Sequence, residues 1–63
     1  MLETQLLTVP ETSVVLGISE RMMWKLVYER EIESIRIGRL VKITKKAIEE
    51  YIASKVVPRK RIN

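Results

Sequence analysis

The sequence predicts a mainly α-helical domain with one small β-hairpin. Three Thr or Ser residues stand where helix N-caps are expected, and apolar residues at helical spacing follow each of them. Between the second and third helical segments, apolar and basic residues alternate over residues 35–43, which is a strand pattern. A chain of 63 residues forms at most one domain, and it buries only about 60% of its unfolded surface.

Composition excludes several classes of function. Hydrophobic residues make up 46% of the chain and charged residues 32%, which is typical of a folded domain. The absence of cysteine and histidine excludes disulfides, the usual zinc sites and the Ser-His and Cys-His catalytic pairs. No apolar run approaches the roughly 20 residues of a membrane span. We therefore expect a soluble cytoplasmic protein that is not an enzyme, with no cofactor, no metal and no membrane partner.

The charge is positive overall but unevenly distributed. The formal net charge is +4. Residues 1–33 contain three basic and six acidic side chains, whereas residues 34–63 contain nine basic and two acidic ones. A basic half on so small a domain favours a polyanionic partner, most often nucleic acid. The alternative is a solvated surface that only keeps the protein soluble.

The first two helices are predicted to be joined by a glycine turn. Thr8 is an N-cap, and Glu11 three residues later completes a capping box for a helix that ends near Leu16. Gly17 suits the left-handed position that ends a helix, and Ser19 is the next N-cap. The second helix is predicted over residues 20–30. Helix, tight turn and helix form the outline of a helix-turn-helix.

The second helix has one apolar face and one unusual polar face. Its predicted inner stripe is Met23, Leu26 and Val27. At 100° per residue, two cations and two aromatic residues then lie on or beside the opposite face, and aromatic residues are uncommon on a plain solvated surface. This face is therefore a candidate binding surface, formed by Arg21, Met22, Trp24, Lys25 and Tyr28.

Residues 35–43 predict a hairpin, and its loop length decides which face each side chain occupies. A two-residue loop at Gly38 and Arg39 pairs Arg36 with Val41 and mixes the two faces, although Gly38 at the first loop position suits a type II′ turn. A three-residue loop from Gly38 to Leu40 instead places Arg36 opposite Lys42 on the outer face. The pairs Ile37–Val41 and Ile35–Ile43 then lie on the inner face. We prefer the three-residue loop for that reason.

In the preferred register the hairpin is a basic wing formed by Arg36, Arg39 and Lys42. Like charges directly opposite one another destabilise a hairpin, so a binding role for phosphate is favoured. The alternative is that these cations protect an edge strand from aggregation.

The two ends of the chain are less informative. Leu6 and Leu7 either form a short strand or anchor the first helix. A third helix is predicted over residues 45–55, with Thr44 as its N-cap and an apolar stripe that braces the core. The domain is thus residues 1–55. Residues 56–63 form a basic, flexible tail that either adds non-specific phosphate contacts or has no role.

In order and spacing, these segments resemble the excisionase-type DNA-binding family, whose small winged helix-turn-helix domains are related to MerR-type DNA-binding heads. The resemblance covers residues 6–52, and its most specific pieces are the Leu-Gly-Ile-Ser turn and the Arg-Ile-Gly-Arg wing. It implies a winged helix-turn-helix of three short helices and a wing of two or three strands. The matching segments are residues 7–11 (Leu-Thr-Val-Pro-Glu), 15–19 (Val-Leu-Gly-Ile-Ser), 25–27 (Lys-Leu-Val), 35–39 (Ile-Arg-Ile-Gly-Arg) and 47–52 (Ala-Ile-Glu-Glu-Tyr-Ile).

The resemblance also implies how double-stranded DNA is bound. The second helix enters the major groove, and the wing contacts the backbone or the neighbouring minor groove. Arg21 or Lys25 would then donate to guanine, and Glu20 would accept from cytosine. Ser19 and Trp24 would contact phosphate or sugar. The implied DNA-binding residues are Ser19, Glu20, Arg21, Met22, Trp24, Lys25 and Tyr28 on the helix and Arg36, Gly38, Arg39 and Lys42 on the wing.

Two departures concern the link between the helix and the wing. The family usually has glycine at the position of Arg30 and often has proline at that of Glu33. We therefore expect a longer second helix and a different wing angle.

The resemblance implies an excisionase, an architectural factor that binds DNA near the attachment sites of a mobile element, either cooperatively or at several sites. It would bias a tyrosine- or serine-type integrase toward excision. One alternative is a small transcriptional regulator with the same domain. Another is a protein-interaction module whose partner patch is Met22, Trp24 and Tyr28.

Overall fold

The computed structural model describes residues 5–59. Strands β2 and β3 form a hairpin, the wing, and β1 pairs with the other side of β3 in an antiparallel sheet of order β1-β3-β2. Three helices and this small sheet confirm the predicted winged helix-turn-helix fold. Leu6 and Leu7 lie in a strand. The elements are β1 (Leu6–Thr8), α1 (Val9–Leu16), α2 (Glu20–Tyr28), β2 (Ile35–Ile37), β3 (Leu40–Thr44) and α3 (Lys45–Lys55).

Local hydrogen bonds define both ends of α1, as predicted. The Glu11 N–H donates to the Thr8 hydroxyl at 3.1 Å, and the Thr8 N–H donates to the Glu11 carboxylate at 2.9 Å. This is a complete capping box. At the other end, Gly17 has a φ of 69°, and the Gly17 and Ile18 N–H groups donate back to carbonyls of the last turn. Ser19 then caps α2, so the turn between the helices is tight.

Helix α2 ends at Tyr28, so the prediction of a helix running to residue 30 or beyond was wrong. Arg30 has a φ of 59°. Its N–H donates to the Val27 carbonyl at 3.1 Å, and the Glu31 N–H donates to the Leu26 carbonyl at 2.9 Å. This is a Schellman motif, with arginine at the left-handed position that usually holds glycine. The backbone hydrogen bonds end the helix despite the strain of that conformation.

The core lies between the helices and the sheet. The inner stripe predicted for α2 is buried, and Met23 and Ile43 have no exposed surface. Thr12 is also buried, and its hydroxyl donates to the Thr8 carbonyl at 2.9 Å. Within residues 5–59, every buried side-chain nitrogen or oxygen has a hydrogen-bond partner. The core residues are Val9, Met23, Leu26, Val27, Ile32, Ile43, Ala47 and Ile48.

The wing has the two-residue loop, so the preferred register was wrong. The pairs between β2 and β3 are Ile35–Lys42, Arg36–Val41 and Ile37–Leu40. Gly38 has a φ of 59° and Arg39 does not have a positive φ, which is the pattern of a type II′ turn. The twist of that turn matches the twist of the strands. Strand β2 is a sheet edge with all three side chains exposed, so mixing polar and apolar residues there costs little.

Helix α3 begins as predicted, because the Thr44 hydroxyl accepts the Ala47 N–H at 3.0 Å. Ala47 and Ile48 are buried and Tyr51 packs against the core, so α3 braces the fold. Residues 56–59 are non-helical. Residues 60–63 of the predicted tail, like residues 1–4, lie outside the described residues. None of the helices over residues 5–59 has the length and apolar character needed to cross a membrane.

Candidate nucleic-acid interface

The exposed face of α2 consists of two neighbouring rows of side chains. Residues four apart on a helix are neighbours. One row is Glu20, Trp24 and Tyr28, and the other contains Arg21 and Lys25. Because the apolar stripe of α2 is buried on the opposite side, Arg21 and Lys25 are both exposed. The structure therefore presents two cations directly beside an aromatic row.

The aromatic row is held together by its own contacts. The Trp24 and Tyr28 rings stack with centroids 5.6 Å apart and an interplanar angle of 26°. The Trp24 indole N–H donates to the Glu20 carboxylate at 3.4 Å. Trp24 is half-buried, whereas Tyr28 is 70% exposed. These contacts favour the observed rotamers of both rings, which reduces the conformational entropy that binding would cost.

The contact with Trp24 changes what is expected of Glu20. Its carboxylate already accepts a hydrogen bond within the row. Its second oxygen can still accept a hydrogen bond, but a carboxylate that turns to a cytosine amino group also brings negative charge toward DNA. Glu20 is thus first a positioning residue for Trp24.

Ser19 and Met22 lie at the start of α2. The Ser19 hydroxyl oxygen accepts the Met22 N–H at 3.0 Å, which leaves the hydroxyl hydrogen free to donate to an outside acceptor. Glu20 follows in the same turn, and its charge offsets the attraction of the helix N-terminus for a phosphate. Ser19 therefore acts mainly as a cap. Met22 is exposed on the flank of the face.

The wing separates the three cations that the sequence predicted together. Residues paired across strands share a face, and neighbours along a strand alternate. Arg36 shares its face with Val41, whereas Lys42 lies on the opposite face beside Thr8 of β1. Arg39 is in the loop with Gly38. Arg36 and Arg39 are exposed and Lys42 is half-buried.

Lys42 lies near the capping box of α1, because it pairs with Thr8 across the sheet. The pKa of Glu11 is lowered mainly by the hydrogen bonds from the Thr8 backbone and side chain, and least by the charge of Lys42. Burial has a smaller, opposite effect on the same pKa. Lys42 therefore belongs to the base of the sheet, next to the capping box of α1. The exposed cations of the wing are Arg36 and Arg39.

The exposed apolar face of the wing was missed, because Ile35 and Ile37 were predicted on the inner face and Leu40 in the loop. Ile35, Ile37 and Leu40 are exposed and share a face with Lys42. A register shift of one residue moves a whole strand face from core to solvent. Gly38 at the first loop position was the available signal for this register, since it favours the two-residue turn.

Three of the acidic side chains take part in structural contacts. Glu11 caps α1, Glu20 contacts Trp24, and Glu31 forms an ion pair with Lys55 of α3 at 3.7 Å. Both partners of that pair are about half exposed, so it adds little stability. Over the described residues, no group of three or more His, Cys, Asp or Glu side chains is placed to hold a metal ion.

Comparison with known proteins identifies the family. A family model described as "Helix-turn-helix domain" matches residues 6–56. The chain belongs to the helix-turn-helix domain family. The match begins at the first residue of β1 and ends one residue beyond α3, so it includes every element of the fold.

Curated relatives of this helix-turn-helix protein have names related to DNA. A protein of Saccharopolyspora erythraea named "Probable excisionase" is 48% identical over 48 residues, which are 76% of this chain and 49% of that protein. Proteins from two strains of Mycobacterium tuberculosis, both named "Putative DNA-binding protein", are 32% identical over 50 residues, which are 79% of this chain and 64% of each. No solved structure matches significantly.

The matched segment spans about half to two thirds of the length of these relatives. What the similarity covers is the helix-turn-helix domain itself.

Proposed function

We propose that this protein binds double-stranded DNA in a sequence-specific manner and acts as an excisionase. It binds near the attachment sites of a mobile element and biases a tyrosine- or serine-type integrase toward excision. The observation that most supports DNA binding is the exposed face of α2, where Arg21 and Lys25 lie beside the ordered Trp24–Tyr28 stack.

In this proposal α2 is the recognition helix. It enters the major groove, where Arg21 or Lys25 donates to guanine O6 and N7. The Tyr28 hydroxyl is exposed and suited to donate to a phosphate oxygen. Arg36 and Arg39 of the wing contact the backbone or the adjacent minor groove. This arrangement of helix and wing supports a relation to MerR-type DNA-binding heads.

The tail has a secondary role in the same proposal. Residues 1–55 form the DNA-binding domain, and the basic residues of 56–63 add non-specific phosphate contacts. Several copies bind side by side, because one short module provides limited specificity. DNA binding of this kind associates the protein with the nucleoid.

The excisionase role is supported by the relative named for it, which is 48% identical over most of this chain. A transcriptional regulator is the second candidate, supported by the mycobacterial relatives, whose names state DNA binding alone. A protein-interaction module would use the same exposed aromatic row. Its signature is binding to a protein partner with no salt-dependent affinity for DNA.

A footprint on DNA flanking its own gene, at near-physiological salt, distinguishes these roles. Protection of several sites next to a recombination end, with binding that is cooperative in protein concentration, is the result expected of an excisionase. Protection confined to a promoter would overturn that role in favour of a regulator. No protection, together with affinity that does not change with salt, would exclude DNA binding.

An excision assay with purified integrase tests the role directly. The expected result is excision that requires the wild-type protein and is lost with the Arg21→Ala/Lys25→Ala double variant. Glu49→Gln on α3 is the control, because it lies outside the proposed interface.

A further inference from the structure

The tip of the wing has an apolar surface that the fold does not use. Ile37 and Leu40 are paired directly beside the turn and are 51% and 58% exposed. Ile35 lies on the same face and is also exposed. Single exposed apolar residues are common, but three on one face at the end of a projecting hairpin are not explained by the core.

Two cations are the sequence neighbours of this apolar pair. Arg39 is in the loop next to Leu40, and Arg36 precedes Ile37 with its side chain on the opposite face. Gly38 adds no side chain to the loop, so the end of the hairpin is narrow. The tip thus combines a thin apolar edge with two exposed cations close to it.

The minor groove of duplex DNA fits this combination. It is about 6 Å wide, its walls are largely sugar C–H groups, and phosphates border it on both sides. Proteins that bind the minor groove frequently insert Ile or Leu between base steps, which partly unstacks and kinks the duplex. Cations beside the inserted residue are then well placed for the bordering phosphates.

We propose that Ile37 and Leu40 form an apolar wedge that enters the minor groove, while Arg36 and Arg39 bind the phosphates on either side. The inference rests on the proposed DNA-binding function and adds a second mode of recognition to it. The wedge favours sites with an easily unstacked pyrimidine–purine step under the wing. Its contribution to affinity does not depend on salt, because it neutralises no phosphate.

The test uses the Ile37→Thr/Leu40→Thr double variant and the full chain. Threonine retains a high strand propensity, so the hairpin is expected to persist. Val14→Thr is the matched control, since Val14 is 79% exposed on α1 and outside the wing. Affinity for the footprinted duplex is measured over a range of salt concentrations, and the bend is measured by energy transfer between dyes at the duplex ends.

The double variant is expected to bind about tenfold more weakly at every salt concentration, with an unchanged salt slope and a smaller bend. Val14→Thr is expected to match the wild type. Unchanged affinity and bend in the double variant would overturn the wedge while leaving DNA binding intact. A wild type that binds no duplex would instead overturn the proposed function, and the wedge with it.

Two further measurements keep the proposal independent of how the variants fold. With 2-aminopurine placed at successive steps of the site, wild-type protein is expected to raise the fluorescence at one step under the wing. A flat response along the site would overturn the wedge. Sedimentation of the free protein tests whether a second copy of the chain covers this surface instead of DNA. A wild-type dimer that the double variant abolishes would assign the patch to a second copy of the chain instead.

Discussion

Gly17 and Arg30 end α1 and α2 with the same backbone geometry, although only one of them is glycine. Their φ angles are 69° and 59°. In each case the N–H groups of this residue and the next donate back to carbonyls of the last helical turn. The left-handed conformation costs a residue with a Cβ atom about 1 kcal/mol more than glycine. The end of α2 therefore contains backbone strain that the end of α1 avoids.

Arg30→Gly is expected to raise the free energy of unfolding by about 1 kcal/mol, because glycine adopts this φ without the Cβ penalty. Gly17→Ala is the matched comparison and is expected to lower it by a similar amount. An added Cβ at Gly17 meets no atom within 4 Å, so that effect comes from φ alone. Urea unfolding measures both. An Arg30→Gly variant that is less stable than wild type would contradict the assignment of strain.

The capping box makes the free energy of unfolding depend on pH in the acidic range. The pKa of Glu11 is lowered in the folded state, mainly by the hydrogen bonds from Thr8. The stability it contributes is therefore fully present above the ordinary glutamate pKa of about 4.3 and is lost as the pH falls through the lower, folded value. The Glu11→Gln variant is expected to lose less stability than the wild type as the pH falls. The Glu49→Gln variant is expected to lose as much as the wild type. Thermal unfolding between neutral and strongly acidic pH provides the comparison.

Glu20→Gln is expected to strengthen DNA binding at low salt. It keeps an oxygen that accepts the Trp24 N–H but removes a negative charge from the proposed interface. The gain should shrink as salt increases. Binding is followed by fluorescence anisotropy of labelled DNA, with Glu49→Gln as control. Equal gains in the two variants would mean that only net charge matters and that Glu20 does not face DNA.

Arg21→Ala and Lys25→Ala are expected to relax base preference. A bidentate contact with guanine contributes roughly 1–3 kcal/mol of discrimination, so the affinity for mutated sites should approach that for the natural site. Competition between natural and single-base-changed duplexes measures the ratio. If both variants kept the full preference, α2 would not be the recognition helix.

Arg39 and Lys42 are expected to contribute differently to the salt dependence of DNA binding, because they lie in different parts of the wing. Arg39→Ala is expected to weaken binding to all sequences and to reduce the slope of log K against log salt by about 1. Lys42→Ala is expected to change the slope less, because Lys42 is half-buried and lies beside Thr8 of β1, away from the tip. Equal changes in slope would mean that Lys42 neutralises a phosphate as fully as Arg39 does, contrary to this expectation.

Sequence alone predicted the features that depend on a few consecutive residues. Thr8, Ser19 and Thr44 cap their helices as expected, and Gly17 ends α1. The inner stripe of α2 is buried as its spacing predicted. A cap joins groups three or four residues apart, and a helical face follows from a fixed rotation per residue, so both are present in the local sequence. The candidate residues on α2 were predicted for the same reason.

Tertiary structure decided the end of α2, the register of the wing and the pairing of β1. Arg30 lacks the glycine signal, yet the Schellman hydrogen bonds end α2 there and Ile32 in the link to the wing is buried. The two hairpin registers differ by one residue, and the turn selects between them against the apolar pattern. Strand β1 pairs with residues more than thirty positions later. Such long-range contacts depend on the packed chain as a whole. The exposure of Ile37 and Leu40 and the separation of Arg36 from Lys42 follow from the hairpin register, where turn geometry outweighs the apolar pattern and only the structure shows which of the two prevails.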